Sequence, residues 1–430
     1  MTYQETIDYL FSVTPVFQQD GGSAYKPGLD TVEAMDRYFG HPHHAYKTIH
    51  VGGTNGKGST SHTLAAVLQA SGYRVGLFTS PHLVDFRERI RVGGEMIEQS
   101  FVVDFVERAR DLVGELHPSF FELTTMMALE YFRSQAVDVA IIEVGLGGRL
   151  DSTNIINPVL SVVTNISLDH TQYLGDRLED IAREKAGIIK PNTPIVLGNS
   201  GNAEVKAVFA DKARECSAPL ILAEESRVLQ EATLMDIGYL YKTRDWGGIR
   251  GELMGLAQVE NAATILTALG QLRDQFTLTA TSVARGFSSV VTLTGLQGRW
   301  QTLSKHPRLI CDTAHNQAGI ALVVKQLERY QYCYAQIHIV LGMASDKDVS
   351  AVLELLPSWA KYYFTQASVK RAMPAVELAQ MASSLGLKGL TYSTVAEAVD
   401  AAREASATSD LIFVGGSNFV VADLLEAYRK

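Results

Sequence analysis

Residues 51–60 read Val-Gly-Gly-Thr-Asn-Gly-Lys-Gly-Ser-Thr, and no other stretch limits the fold of this chain so tightly. The run 46–51 just before them is short and apolar enough for a strand, and 63–70 just after them carry apolar residues at helical spacing. A glycine-rich turn between strand and helix aims successive backbone N–H groups and a helix N-terminus at one point. Fixed dipoles there bind phosphate, and the Lys57 ammonium adds a point charge. The loop departs from the commonest phosphate-loop spacing: Val51 stands where a glycine would open it, and Gly58 separates Lys57 from Ser59. A structural turn is the plain alternative, but the strand–loop–helix setting favours nucleotide phosphate.

Strand-like runs at 75–78, 137–144, 159–166 and 194–198 alternate with helical patterns at 101–113, 123–133, 178–189 and 203–214. That order predicts an α/β fold with a P-loop-type, doubly wound, mostly parallel sheet that binds ligands at the carboxyl ends of its strands. A long helix is expected at 258–272, then less regular sequence to about Thr294. From Trp300 the alternation restarts, with strands at 309–311, 337–341, 362–365 and 411–414 and helices at 319–330, 349–355, 375–385 and 395–406. This reads as a smaller C-terminal α/β domain of about 130 residues. The expected domains are 1–296 and 297–430, with the active site in the cleft between them.

At 430 residues the chain is long enough for a large buried core. Its 47 acidic and 38 basic residues give a net charge of −9, which argues against a nucleic-acid partner. Cys216, Cys311 and Cys333 are scattered without metal or redox spacing and fit a reducing compartment. Glu5 and Asp8 lie where a basic-then-apolar leader would stand, and no apolar run reaches the roughly 18 residues of a membrane span. The expectation is a cytoplasmic protein with no membrane partner, working as a monomer.

Polar residues suited to metal and phosphate close most of the first-domain strands. The run 75–78 leads into Thr79-Ser80-Pro81-His82, the run 137–142 ends at Glu143, and the run 159–163 leads to Asp169-His170. Strand ends in an open α/β sheet converge on one crevice, so Ser80, Glu143 and His170 are expected near Lys57. Magnesium takes oxygen ligands and shares them with substrate phosphates; Glu143 and a serine hydroxyl suit it better than His170 does. Each residue alone is more often structural. Beside a phosphate loop, the set points to function.

Together these residues resemble a known family. Gly53-Thr54-Asn55-Gly56-Lys57-Gly58-Ser59, Thr79-Ser80-Pro81-His82, Phe121-Glu122, the run from Glu143 through Gly145, Gly147, Gly148, Asp151 and Asn154, and Asp169-His170-Thr171 occur in order. So do Gly298-Arg299, Asp312-Thr313-Ala314-His315-Asn316, Gly342-Met343-Ala344-Ser345-Asp346-Lys347-Asp348 and Gly416-Ser417. The set is similar to the folylpolyglutamate synthase/dihydrofolate synthase branch of the Mur ligases, over about 28–421. The resemblance implies an ATP-dependent amide ligase that phosphorylates a substrate carboxylate and then transfers the acyl group to L-glutamate. Its substrates would be dihydropteroate or a reduced folate, L-glutamate and ATP.

The resemblance also implies roles. Thr54, Asn55, Gly56, Lys57, Gly58 and Ser59 would cradle phosphates, with Asn261, Arg299, Asp312 and His315 completing the ATP site. Ser80, Glu143 and His170 would hold magnesium, and Lys185, carbamylated by CO2, would serve a second ion. Lys57, Lys185, His170 and Arg299 would be catalytic. Gly28, Leu29, Asp30, Ser119, Phe120, Phe121, Glu122, Leu150, Asp151 and Ser152 would surround the pterin, an aromatic face for stacking and the Asp151 carboxylate for its N–H edge. The chain departs from the family at Gln297, where Pro is usual, at Thr313, where Gly is usual, and at Ala257, where His is usual. Thr313 is expected to strain any left-handed backbone at that position.

Two rivals are a cell-wall precursor ligase of the same superfamily and a non-catalytic nucleotide-binding regulator. The first needs an N-terminal nucleotide-sugar domain, for which the early phosphate loop leaves no room. The second has no use for Lys57, Glu143, His170, Lys185 and Arg299 together.

Overall fold

Eight strands form the main sheet around the phosphate loop: β1 (Lys47–Gly52), β2 (Val75–Phe78), β3 (Ile90–Val92), β4 (Glu95–Met96), β5 (Val139–Glu143), β6 (Leu160–Asn165), β7 (Ile195–Asn199) and β8 (Leu220–Leu222). Their order is β4-β3-β2-β5-β1-β6-β7-β8. Pairing is parallel from β2 through β8 and antiparallel at the β2–β3–β4 edge. Parallel strands covered on both faces read as continuous apolar runs, and Val139 to Ile142 of β5 are accordingly buried throughout. The doubly wound, mostly parallel sheet expected from the alternation is therefore the observed one. The computed structural model describes residues 1–14 and 28–429. They fall into two units, Met1–Glu252 with Gln258–Leu296, and Leu253–Ala257 with Gln297–Lys430.

β1 lies in the middle of the sheet, between β5 and β6. The chain leaves it toward β2 on one side, and β6 flanks it on the other, so its carboxyl end sits at a topological switch point. Register sets Val51 level with Glu143 of β5 and with Val162 of β6. The helix after the loop, Lys57–Ala70, is buried from Gly58 to Leu68, which explains its weak amphipathic pattern. Helices Ala280–Ser288 and Val290–Thr294 pack against it where irregular sequence was expected. A Thr279–Ser282 capping box opens the first of them, a local start signal present in the sequence.

Three further strands, β9 (Leu229–Leu234), β10 (Tyr239–Thr243) and β11 (Gly247–Gly251), make a separate antiparallel sheet that the alternation argument did not anticipate. In the second unit β12 (Gln301–Lys305), β13 (Arg308–Cys311), β14 (Ile337–Leu341), β15 (Lys361–Phe364), β16 (Gly389–Thr391) and β17 (Leu411–Gly415) are ordered β12-β13-β17-β14-β15-β16. Only β12 runs antiparallel there. Among the described residues, no helix is long and apolar enough to cross a membrane.

Candidate active site

The phosphate loop is fixed by its neighbour, the turn after β6. Thr54 N–H donates to the Asn165 carbonyl at 3.0 Å, and the Thr54 hydroxyl bridges the Ser167 carbonyl and N–H, each at 3.1 Å. The Asn165 side chain meets the Asn55 backbone twice. Its Oδ1 accepts from the Asn55 N–H and its Nδ2 donates to the Asn55 carbonyl, both at 3.0 Å. The Thr164 hydroxyl donates to the same carbonyl at 2.6 Å. Asn55 thus uses its N–H within the protein. Gly53 has φ +133, and a Cβ there would stand 1.9 Å from the Thr164 hydroxyl, so the approach of the two turns requires glycine. Gly56, at φ +83, precedes the helix and faces the buried Asn261 side chain. Asn261 donates to Gln258 at 3.1 Å, and Gln258 donates to the Ser59 hydroxyl at 3.2 Å. Gln258 joins the site without having been singled out in the sequence.

Two lysines converge on one carbonyl. Lys57 Nζ donates to Gly53 O and Thr54 O, both at 3.1 Å, and Lys185 Nζ donates to Gly53 O at 2.8 Å. Lys185 is buried in the last turn of helix Leu178–Ala186, three residues shorter than expected. The Arg149 N–H donates to the Glu184 carbonyl at 2.8 Å, docking the glycine-rich turn after β5 onto this helix end. Burial, reinforced by the Lys57 charge, pulls the Lys185 amine down to about 7, against the opposing pull of Asp169 and Asp151. Glu143 ends β5 and is 3 % exposed; its Oε2 accepts from the Ser80 N–H at 3.2 Å. His170 begins helix Thr171–Leu174 in the left-handed region, with its N–H on Asp169 Oδ1 at 2.8 Å. Among the described residues, no three His, Cys, Asp or Glu side chains form a ready-made metal cage. Glu143 beside Ser80 fits magnesium all the same, because that ion takes one or two carboxylates and completes its shell with water and phosphate.

The three segments expected around the pterin pack together. Helices Asp30–Tyr38 and Phe120–Ser134 and the 3-10 turn Ser152–Ile155 touch one another pairwise. Leu29 and Phe121 are half-buried on the edge of one apolar core. Phe121 lies 5.7 Å from Phe78, and a Cβ on Gly145 would meet its ring at 2.5 Å. Phe120 points instead into the core, stacked on Phe11 at 5.3 Å and under the Arg89 guanidinium at 5.3 Å. Ser119 and Glu122 cap their own helix, Glu122 N donating to Ser119 Oγ at 3.2 Å and Ser119 N to Glu122 Oε2 at 2.7 Å. Gly28 has φ +128 with open space at its Cβ, and Asp30 is in the first turn of its helix. Leu150 is half-buried and Ser152 buried. Asp151 is also buried; its Oδ2 accepts from Leu146 N–H at 2.8 Å and its Oδ1 from Thr153 N–H at 3.0 Å and from the Thr153 hydroxyl. Burial pushes its carboxyl pKa up, against these hydrogen bonds.

In the second unit, the Arg299 guanidinium rests on the Gly298 carbonyl at 3.3 Å and on the Thr313 hydroxyl. Thr313 is not among the residues with positive φ, so its β-branch brings no backbone strain and the strain expected of it does not arise. Trp300 does adopt φ 45, held by its N–H on Asp312 Oδ2 at 2.8 Å and by burial against Phe413 and Tyr330. Asp312 Oδ1 accepts from Ala314 N–H at 2.8 Å, so this carboxylate ties the residue after Arg299 to the turn that carries Thr313. His315 Nδ1 meets the Thr313 carbonyl at 2.9 Å and donates its proton there.

Residues 51–268 match the Mur ligase middle domain and residues 298–418 the Mur ligase glutamate ligase domain. The dihydrofolate synthase/folylpolyglutamate synthase of Escherichia coli is 34% identical over 93% of this chain and 90% of its own. The chain belongs to this branch of the Mur ligases. A probable bifunctional folylpolyglutamate synthase/dihydropteroate synthase of Haloferax volcanii is 33% identical over 100% of this chain. This chain spans 51% of that relative, about half its length. A structure of Escherichia coli FolC in complex with DHPP and ADP superposes with TM-score 0.85 at 31% identity, covering 100% of this chain and 98% of that one. A Yersinia pestis folylpolyglutamate synthase/dihydrofolate synthase complexed with AMPPNP and Mn ion matches at TM-score 0.84 and 29% identity, over 100% and 98%. Membership in the branch gives the turn after β6 added interest. Thr164 and Asn165 clamp the phosphate loop; the sequence marks them only as a polar strand end, because their partner Asn55 lies 109 and 110 residues away.

Proposed function

We propose that this chain adds L-glutamate to dihydropteroate, and to the glutamate tail of reduced folates, with ATP as the activating reagent. The observation that carries the reading is the convergence of Lys57 and Lys185 on the Gly53 carbonyl at the start of a buried helix. The Lys57 ammonium, the Lys185 amine and a helix N-terminus gather where triphosphate and a carboxylate must meet without mutual repulsion. The substrate carboxylate attacks the γ-phosphorus of ATP, the bond to ADP breaks, and an acyl phosphate forms. The glutamate amine then attacks the acyl carbon; inorganic phosphate leaves and an amide remains. Phosphorylation turns a poor leaving oxygen into a good one, and the protein's share is positioning and charge neutralisation.

In this reading Gly56 to Ser59 and Lys57 hold phosphate, and Asn261 with Asp312 and His315 contact the rest of the nucleotide. A magnesium ion held by Ser80, Glu143 and His170 would neutralise phosphate oxygens. A carbamate on Lys185 would supply oxygen to a second ion; the neutral amine that CO2 requires is favoured by burial beside Lys57. Phe121, Leu29 and Asp151 take the pterin, with Arg299 reaching the phosphates from the second unit. One chain suffices for the reaction.

ADP release should require dihydropteroate or tetrahydrofolate and glutamate together, with the glutamyl product seen by mass spectrometry. Release with neither added, or only with a muramyl nucleotide, would refute the proposal. The relatives' names favour folate over muramyl substrates.

A further inference from the structure

His50 lies on β1, fully buried, one strand position before Val51 and outside every role assigned above. Its Nε2 is 2.8 Å from the Thr153 hydroxyl, and that hydroxyl hydrogen-bonds Asp151 Oδ1. Hydrogen counting fixes the direction of this chain. Asp151 Oδ1 already accepts from the Thr153 N–H, so it is an acceptor for the hydroxyl as well. Thr153 has a single hydroxyl hydrogen, which goes to Asp151; its oxygen must then accept, and the hydrogen comes from His50 Nε2. His50 is therefore the neutral Nε2–H tautomer, with Nδ1 bare and without a partner. Burial, with the Lys190 charge adding to it, depresses the imidazole to about 3, in keeping with a ring that stays neutral.

We propose that His50 is a positioning residue for pterin recognition, acting through Thr153 to hold the Asp151 carboxylate in one orientation. A threonine hydroxyl rotates; a buried donor on a central strand stops it with its hydrogen toward Asp151. The Thr153 pair then holds Oδ1, and the Leu146 and Gly145 N–H groups hold the rest of the carboxylate, so a donor edge such as a 2-amino-4-oxopyrimidine ring presents would meet it in one orientation. The relay rests on the assignment of Asp151 to the pterin.

The test compares steady-state constants of full-length variants. His50→Leu removes the donor and should raise KM for dihydropteroate about tenfold, leaving kcat and KM for ATP within about twofold. His50→Gln, which keeps an N–H near the same place, should restore most of the loss. Thr153→Val should match His50→Leu, and the double variant should be no worse than either, as expected of groups in one chain. Thr153→Val also stands in should His50→Leu fail to fold. Asp151→Asn separates the two levels of the argument. If it raises the dihydropteroate KM while His50→Leu and Thr153→Val do not, the relay is wrong and the pterin assignment stands. If Asp151→Asn itself leaves that KM unchanged, the pterin assignment falls and takes the relay with it.

Discussion

Lys185 is the residue whose chemistry departs furthest from its free form. Lysine in water ionises near 10.4, whereas this amine lies at about 7 in the fold. The folded state disfavours the ammonium, so the unfolded chain binds the proton more readily and stability rises with pH between those two values. The penalty is complete below about pH 7 and vanishes toward about 10.4. The same shift governs reaction with CO2, which only the neutral amine undergoes. With 13C-labelled bicarbonate, a carbamate carbonyl signal in the NMR spectrum should grow from about pH 6 to about pH 8 and be absent from Lys185→Arg. Turnover of that variant should fall by about 100-fold or more. A wild-type spectrum without the signal at the upper pH would remove the carbamate and leave Lys185 as a buried amine that donates to the Gly53 carbonyl.

At the scale of elements, the turn after β6 is a template for the phosphate loop. Asn165→Leu keeps approximate volume and deletes both bonds to the Asn55 peptide. The expected cost is about 1–3 kcal/mol in thermal unfolding, with KM for ATP raised about tenfold and KM for dihydropteroate unchanged. Equal effects on both substrates would mean a general loss of fold, not a misplaced loop. Legibility in the sequence differs by element for the same reason that this residue shows there only as part of a polar strand end. Parallel strands such as β5 and β6 declare themselves, because burial on both faces demands an apolar run. The loop itself was legible because glycine, lysine and serine are needed within a few positions of each other. Asn165 and His50 act across more than a hundred residues, and no local pattern records such pairings. The antiparallel strands β9–β11 were missed although Tyr239, Tyr241 and Thr243 alternate inward. Their turns and their half-exposed period-two pattern belong to a different rule from the one that found the parallel sheet.

At the scale of the whole molecule, the proposed reaction asks two units to act on one ATP. The phosphate loop belongs to the first and Arg299 to the second. The fold holds the arginine within its own unit: Asp312 ties the backbone just after it to the turn at Ala314, and Thr313 and Gly298 hold the guanidinium. An interaction made only as phosphoryl transfer proceeds lowers the barrier without tightening ground-state binding. Arg299→Ala should therefore reduce kcat by about 100- to 1,000-fold and leave the dihydropteroate dissociation constant, measured by calorimetry without glutamate, unchanged. Lys57→Ala should abolish turnover, since its ammonium stands at the loop itself. If Arg299→Ala weakened dihydropteroate binding as much as it slowed turnover, the arginine would be a ground-state contact, and transition-state stabilisation would have to come from the first unit alone. Loss confined to kcat would instead mean that the second unit contributes charge when the phosphoryl group moves.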